Sequence, residues 1–125
     1  MRYLTTEEIM AIHERIIEMT CGLAGIRDVN LLFSVAERPK TSIMGQEMYP
    51  DLFLKAAVYL ESLAQFHVFS DANKRSSITV CALFLRANGV ALDLPESETF
   101  TFVLEVAKKK HSLAEIADWL KKHSI

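Results

Sequence analysis

Within nine consecutive residues, His67 to Arg75, the chain places an imidazole, a carboxylate, an amide and two cations. Imidazole titrates near neutrality, so His67 can take the proton from an incoming hydroxyl. Asp71 is a hard oxygen donor of the kind magnesium accepts, an ion that keeps water and phosphate oxygens around few protein carboxylates. Lys74 and Arg75, with the amides of a helix start, can stabilise charge on a transferring group. The set suits nucleotide chemistry.

Each residue alone also has an ordinary structural role. His67 fits a helix C-terminal cap or a satisfied core histidine, and Asp71 fits an N-cap. Phe69 reads as a core anchor in either case, and Lys74 and Arg75 as solvated side chains. Their combination is harder to explain by stability. Two cations in the first turn of a helix oppose its dipole, where stability favours acids. A phosphate site tolerates that cost, because a bound anion neutralises the gathered positive charge.

The elements around this segment follow from periodicity and caps. Thr5-Thr6-Glu7-Glu8 reads as a capping box, followed by Ile9, Ile12, Ile16 and Met19 at helical spacing. Gly22 and Gly25 mark its end. Asp28 is placed to cap a second helix carrying Leu31, Leu32, Val35 and Ala36, which Pro39 closes. The segment from Pro39 to Pro50 lacks a helical period, contains Gly45, and reads as a loop or short hairpin, a flap. Asp51 to Phe66 is apolar around most of its circumference, as a buried central helix is.

After the His67–Ala72 interruption a helix carries Ile78, Val80, Cys81, Leu83, Phe84 and Leu85, with Asn88-Gly89 as its stop. Pro95 precedes a helix with Phe100, Val103, Leu104 and Ala107. Ser112-Leu-Ala-Glu115 is a second capping box, opening a last helix with Ile116, Trp119 and Leu120. The expected fold is all-α, about six helices with a small flap, in one domain over residues 1–125.

Half of the 125 residues are apolar and about a quarter charged, enough to bury a core. A net charge of -2 argues against a nucleic-acid partner, which demands clustered Lys and Arg. The run Lys108-Lys109-Lys110 reads as the solvated end of a helix. Cys21 and Cys81 form no CxxC pair, which fits a reduced cytosolic compartment. The N-terminal stretch lacks the apolar run of a signal peptide, and no segment approaches a membrane span.

HVFSDANKR resembles the signature of the Fic/Doc family, and its ANKR ending resembles the Doc branch. The similarity extends to YLTTEEIMAIH near the start, GIRD at Gly25–Asp28, the flap at Pro39–Tyr49 and FLRANGV at Phe84–Val90. The resemblance implies a helical bundle with the motif loop between two central helices and a flap that aligns a target peptide. It implies His67 as catalytic base, Asp71 as magnesium ligand, and Asn73, Lys74 and Arg75 as the group that binds the phosphates of ATP. It also implies a toxin that phosphorylates a threonine of elongation factor Tu and arrests translation. The implied partner is a Phd-type antitoxin, whose disordered segment folds into a groove. A mean hydropathy of +0.17, high for a small domain, agrees with an apolar groove.

Two positions depart from adenylylating Fic proteins. Those carry Gly where this chain has Lys74, and a second Arg where it has Ile78. A lysine crowds the place where phosphates approach the backbone, and Ile78 cannot bind an anion. The departures favour γ-phosphoryl transfer, a kinase reaction with Lys74 in the catalytic set, over transfer of a nucleotide. A Fic-like nucleotidyl transferase and a non-catalytic antitoxin-binding regulator are the alternatives. The common Gly of many relatives is Ala72 here, which matters where the backbone needs positive φ.

Overall fold

A computed structural model describes all of residues 1–125. The Thr5 hydroxyl accepts the Glu8 N–H at 3.1 Å and the Glu8 carboxylate accepts the Thr5 N–H at 3.0 Å. This capping box opens α1 (Thr6–Thr20), which buries Ile9, His13, Ile16 and Ile17. Met19, expected on that stripe, is 69% exposed. The helix stops at Cys21 in the left-handed region, one residue before the first glycine. The Asp28 carboxylate accepts the Leu31 N–H at 3.0 Å and starts α2 (Val29–Glu37). Pro39 then sits in a 3-10 turn, Arg38–Lys40.

The flap is a minimal hairpin of β1 (Ser42–Ile43) and β2 (Gln46–Glu47), with Ser42 opposite Glu47 and Ile43 opposite Gln46. Met44 and Gly45 both have positive φ, as a two-residue turn matched to strand twist requires. Its base is tied to the bundle by Lys55, whose buried Nζ donates to the Glu47 carboxylate at 2.8 Å and the Tyr49 carbonyl at 2.5 Å. Burial works against that charge, yet the hydrogen bond to Glu47 and the neighbouring Tyr3 leave the ammonium held above its usual value.

The core is built on α3 (Leu52–Gln65), buried on nearly every side from Lys55 to Ala64. It packs along α4 (Asn73–Ala87) and α6 (Leu113–Lys122), and also meets α5 (Glu96–Ala107). Leu60 and Leu63 meet Val80, Phe84, Val106, Ile116 and Leu120 in one cluster. Each such side chain contributes about 1.5–3 kcal/mol on burial. The second capping box, Ser112 with Glu115, opens α6 as expected. Lys108, Lys109 and Lys110 are solvated at the end of α5.

Phe100 is 67% exposed, because α5 buries Thr99, Phe102, Val103 and Val106, a stripe that leaves Phe100 one residue out of phase. No helix is long and apolar enough to cross a membrane. Both cysteines are free, Cys21 exposed and Cys81 buried.

Candidate functional site

The segment His67–Ala72 joins the end of α3 to the start of α4 and is stitched to the α1–α2 connection. The N–H groups of Arg27 and Asp28 donate to the Val68 carbonyl at 2.8 and 3.1 Å, and the Ser70 N–H donates to the Gly25 carbonyl at 3.1 Å. Ile26 and Phe69 form an antiparallel bridge between the two strands of chain. Gly25 has a φ of +132°, and a Cβ there would meet the Ser70 hydroxyl at 3.2 Å, so glycine suits this close approach.

Phe69 is buried as an anchor, and two polar side chains fix the backbone around it. The Asn73 amide donates to the Phe69 carbonyl at 2.9 Å, while its oxygen accepts the Phe69 N–H at 3.0 Å. Asn73 was expected to bind phosphate. Its side chain is instead spent on closing the loop, which leaves only its backbone N–H to offer an anion. His13 reaches the same loop from α1. Its ring lies parallel to Phe69, with centroids 3.7 Å apart, and its Nε2 stands 2.9 Å from the Asp71 carbonyl.

Asp71 is not an ordinary N-cap. Its Oδ2 accepts the Leu23 N–H at 3.1 Å and its Oδ1 accepts the Ala72 N–H at 2.8 Å. These donors, Leu23 first, hold its carboxyl below the usual carboxylate range. The side chain therefore stays ionised near neutrality, with lone pairs left over for a cation. No three His, Cys, Asp or Glu side chains gather here or elsewhere to enclose a metal. A single ionised carboxylate fits magnesium, which completes its sphere with water and phosphate oxygens.

The cap position of α4 belongs to Ala72, in the left-handed region at φ 61° and without a side-chain cap. The first turn contains no acid, and its first main-chain bond runs from the Ser76 N–H to the Ala72 carbonyl. The N–H groups of Asn73, Lys74 and Arg75 thus have no partner within the chain. The side chains of Lys74 and Arg75 are exposed and make no ion pair. Positive charge collects there, with Asp71 and Glu96 as the carboxylates of the same cleft wall.

These groups face one open cleft of about 1380 Å³, whose wall includes Asp71, Lys74, Arg75 and Ile78 from the motif side and Thr99 and Phe100 from α5. Its size exceeds the usual range for small-ligand pockets. The buried Thr99 hydroxyl has no hydrogen-bond partner. His67 does not line the cleft. It follows the α3 cap at φ 53°, exposed and without a partner for its ring. Asp71, Asn73, Lys74 and Arg75 are thus brought together, with His67 at the head of the same loop.

Three residues of this arrangement lay outside the expected set. His13 was one polar residue on an apolar stripe, a signal that a buried partner awaits it. Gly22 was taken as a helix stop, yet a Cβ there would stand 2.8 Å from Asp71 Oδ2. Phe100 was read only as an apolar residue of its helix, and it faces the cleft.

The model of the Fic/DOC family matches residues 3–85, which include the motif loop, the flap and the helices on either side. A protein named protein kinase doc, from Escherichia phage P1, is 35% identical over 123 residues, covering 98% of this chain and 95% of that protein. A protein named toxin Doc, from Mycolicibacterium smegmatis, is 37% identical over 98 residues, covering 77% of this chain and 75% of that protein.

Proposed function

The chain belongs to the Fic/Doc family, and from that premise we propose that it is a Doc-type toxin, a protein kinase that moves the γ-phosphoryl group of ATP to a threonine or serine. The observation that carries this reading is the start of α4, where three free N–H groups, Lys74 and Arg75 face the cleft beside the ionised Asp71. A triphosphate supplies the anion that this end of the helix lacks.

In the reaction His67 takes the proton of the target hydroxyl, whose oxygen forms a bond to the γ-phosphorus. The bond between that phosphorus and the bridging oxygen breaks, and ADP leaves. Lys74, Arg75 and the α4 amides hold the charge on the phosphoryl oxygens. Asp71 would hold magnesium, which supplies further neutralisation of phosphate charge when bound. The outer edge of the flap, where the main-chain groups of Ser42 face away from β2, offers a place to align a target peptide, as strand addition does.

Two features support transfer of the terminal phosphoryl group rather than a nucleotide. Lys74 projects from the first turn where adenylylating relatives have glycine. Ile78 lines the cleft where they have a second arginine. The proposed target is elongation factor Tu, with translation arrest as the result. The proposed partner is a Phd-like antitoxin segment, seated in the apolar groove between α1 and α4 where Ile12, Ile16, Met19 and Leu83 meet. Calorimetric titration with Mg-ATP tests the site: Asp71→Ala and Lys74→Ala are expected to bind at least tenfold more weakly. Wild-type affinity in both variants would contradict it.

A further inference from the structure

His13 is 97% buried by its neighbours, being 3% exposed, and is the one histidine of α1. Its Nε2 faces a main-chain carbonyl, that of Asp71, at 2.9 Å. A carbonyl only accepts, so Nε2 carries a proton. The ring also lies within 5° of parallel to Phe69, which fixes its plane. One side chain from α1 thus grips the motif loop at two points, two residues apart.

The gripped peptide, Asp71–Ala72, has two ends that matter. Its carbonyl points to His13, and so its N–H points the opposite way, to Asp71 Oδ1 at 2.8 Å. Turning that peptide would withdraw a donor from the carboxylate. It would also disturb Ala72, whose left-handed backbone sets the direction in which α4 leaves the loop. An alanine holds that conformation only against a steric cost, so something outside the residue must retain it. His13 is the side chain placed to do so.

We propose that His13 is a positioning residue, which sets the Asp71–Ala72 peptide and through it the aim of the Asp71 carboxylate and of the free α4 amides. Its importance to catalysis rests on the reading of Asp71 as the magnesium-holding carboxylate. The positioning itself is visible without ATP, in the protein alone. His13→Phe keeps the stacked ring and removes the donor. His13→Gln keeps an N–H at similar reach and removes the ring.

The experiment follows by NMR the amide resonances of Leu23 and Ala72, the two donors to the Asp71 carboxylate. In His13→Phe both amide resonances are expected to shift. His13→Gln is expected to stay near wild type. Mg-ATP binding is expected to weaken about fivefold or more in His13→Phe alone, the loss of roughly one hydrogen bond. In the wild-type chain, imidazole nitrogen shifts are expected to report the Nε2–H form, whether or not a variant folds.

Unmoved Leu23 and Ala72 amides in His13→Phe, equal losses in the two variants, or an Nδ1–H form in the wild type would overturn the inference. Failure of the wild type to bind Mg-ATP, with both amides responding as expected, would contradict the functional reading and leave the positioning role established.

Discussion

The Asp71 carboxylate occupies the space that Gly22 leaves by having no side chain. A Cβ at Gly22 would stand 2.8 Å from Asp71 Oδ2, and the next N–H, from Leu23, donates to that same oxygen at 3.1 Å. The end of α1 is therefore a wall of the site. Gly22→Ala would push an exposed carboxylate aside, a displacement that an unburied side chain makes at little cost to the core. The expected stability loss is about 1 kcal/mol, near that of one hydrogen bond. The larger effect is expected on the site, with Mg-ATP binding at least tenfold weaker by calorimetry. Normal binding with a large fall in melting temperature would show the reverse.

Acid is expected to destabilise the chain through identifiable carboxylates. Main-chain donors depress Asp71 (Leu23 and Ala72), Glu8 (Thr5) and Glu115 (Ser112) below the ordinary range. A carboxyl that ionises more readily when folded gives a stabilisation fully present above the unfolded value, about pH 4. That stabilisation is lost as pH falls through the lower folded values. Thermal melts between about pH 6 and pH 2.5 are expected to show a steep decline below pH 4. Asp71→Asn and Glu115→Gln are each expected to flatten it, and an unchanged slope in both would contradict the assignment.

The flap depends on one buried ammonium. Lys55→Met would leave the Tyr49 carbonyl and Glu47 without their donor, though Glu47 is half-exposed and regains water. The expected cost is about 1–3 kcal/mol. Met48, whose N–H donates to the Thr41 carbonyl at 2.8 Å, is expected to exchange its amide hydrogen faster. Ile43→Pro is expected to spare Mg-ATP binding and reduce transfer to protein, by removing an amide donor that pairs the flap's two strands. Full transfer by that variant would remove the flap from target alignment.

The groove between α1 and α4 is expected to take the antitoxin. Met19 is 69% exposed and Leu83 40% exposed, an unusual state for such side chains on facing helices. Adding the C-terminal peptide of a Phd antitoxin is expected to raise the melting temperature in proportion to its occupancy. Met19→Glu and Leu83→Glu are expected to abolish the shift. A shift that survives both would place the peptide elsewhere.

Much of the frame was legible because caps and periods are local. Thr5 with Glu8, Ser112 with Glu115 and Asp28 each stood within one turn of the helix they start. The motif was legible for the same reason, as a contiguous run between two helices. Its support was not. His13 lies 58 positions from Asp71, and Leu23 lies 48 away, so no local pattern joins them. Asn73 carried an amide suited to phosphate, and only the fold shows it spent on Phe69. The exposure of Phe100 was not legible, because only one residue of phase separates the buried stripe of α5 from the cleft.

The most direct test of the kinase reading is which phosphorus reaches the target. The chain is incubated with elongation factor Tu and ATP labelled at either the α or the γ position, with His67→Ala as the inactive control. The expected result is label from the γ position alone, a phosphate-sized mass increase on a threonine or serine, and neither in the control. Transfer of α label, with a nucleotide-sized mass increase, would contradict the kinase reading and favour nucleotidyl transfer.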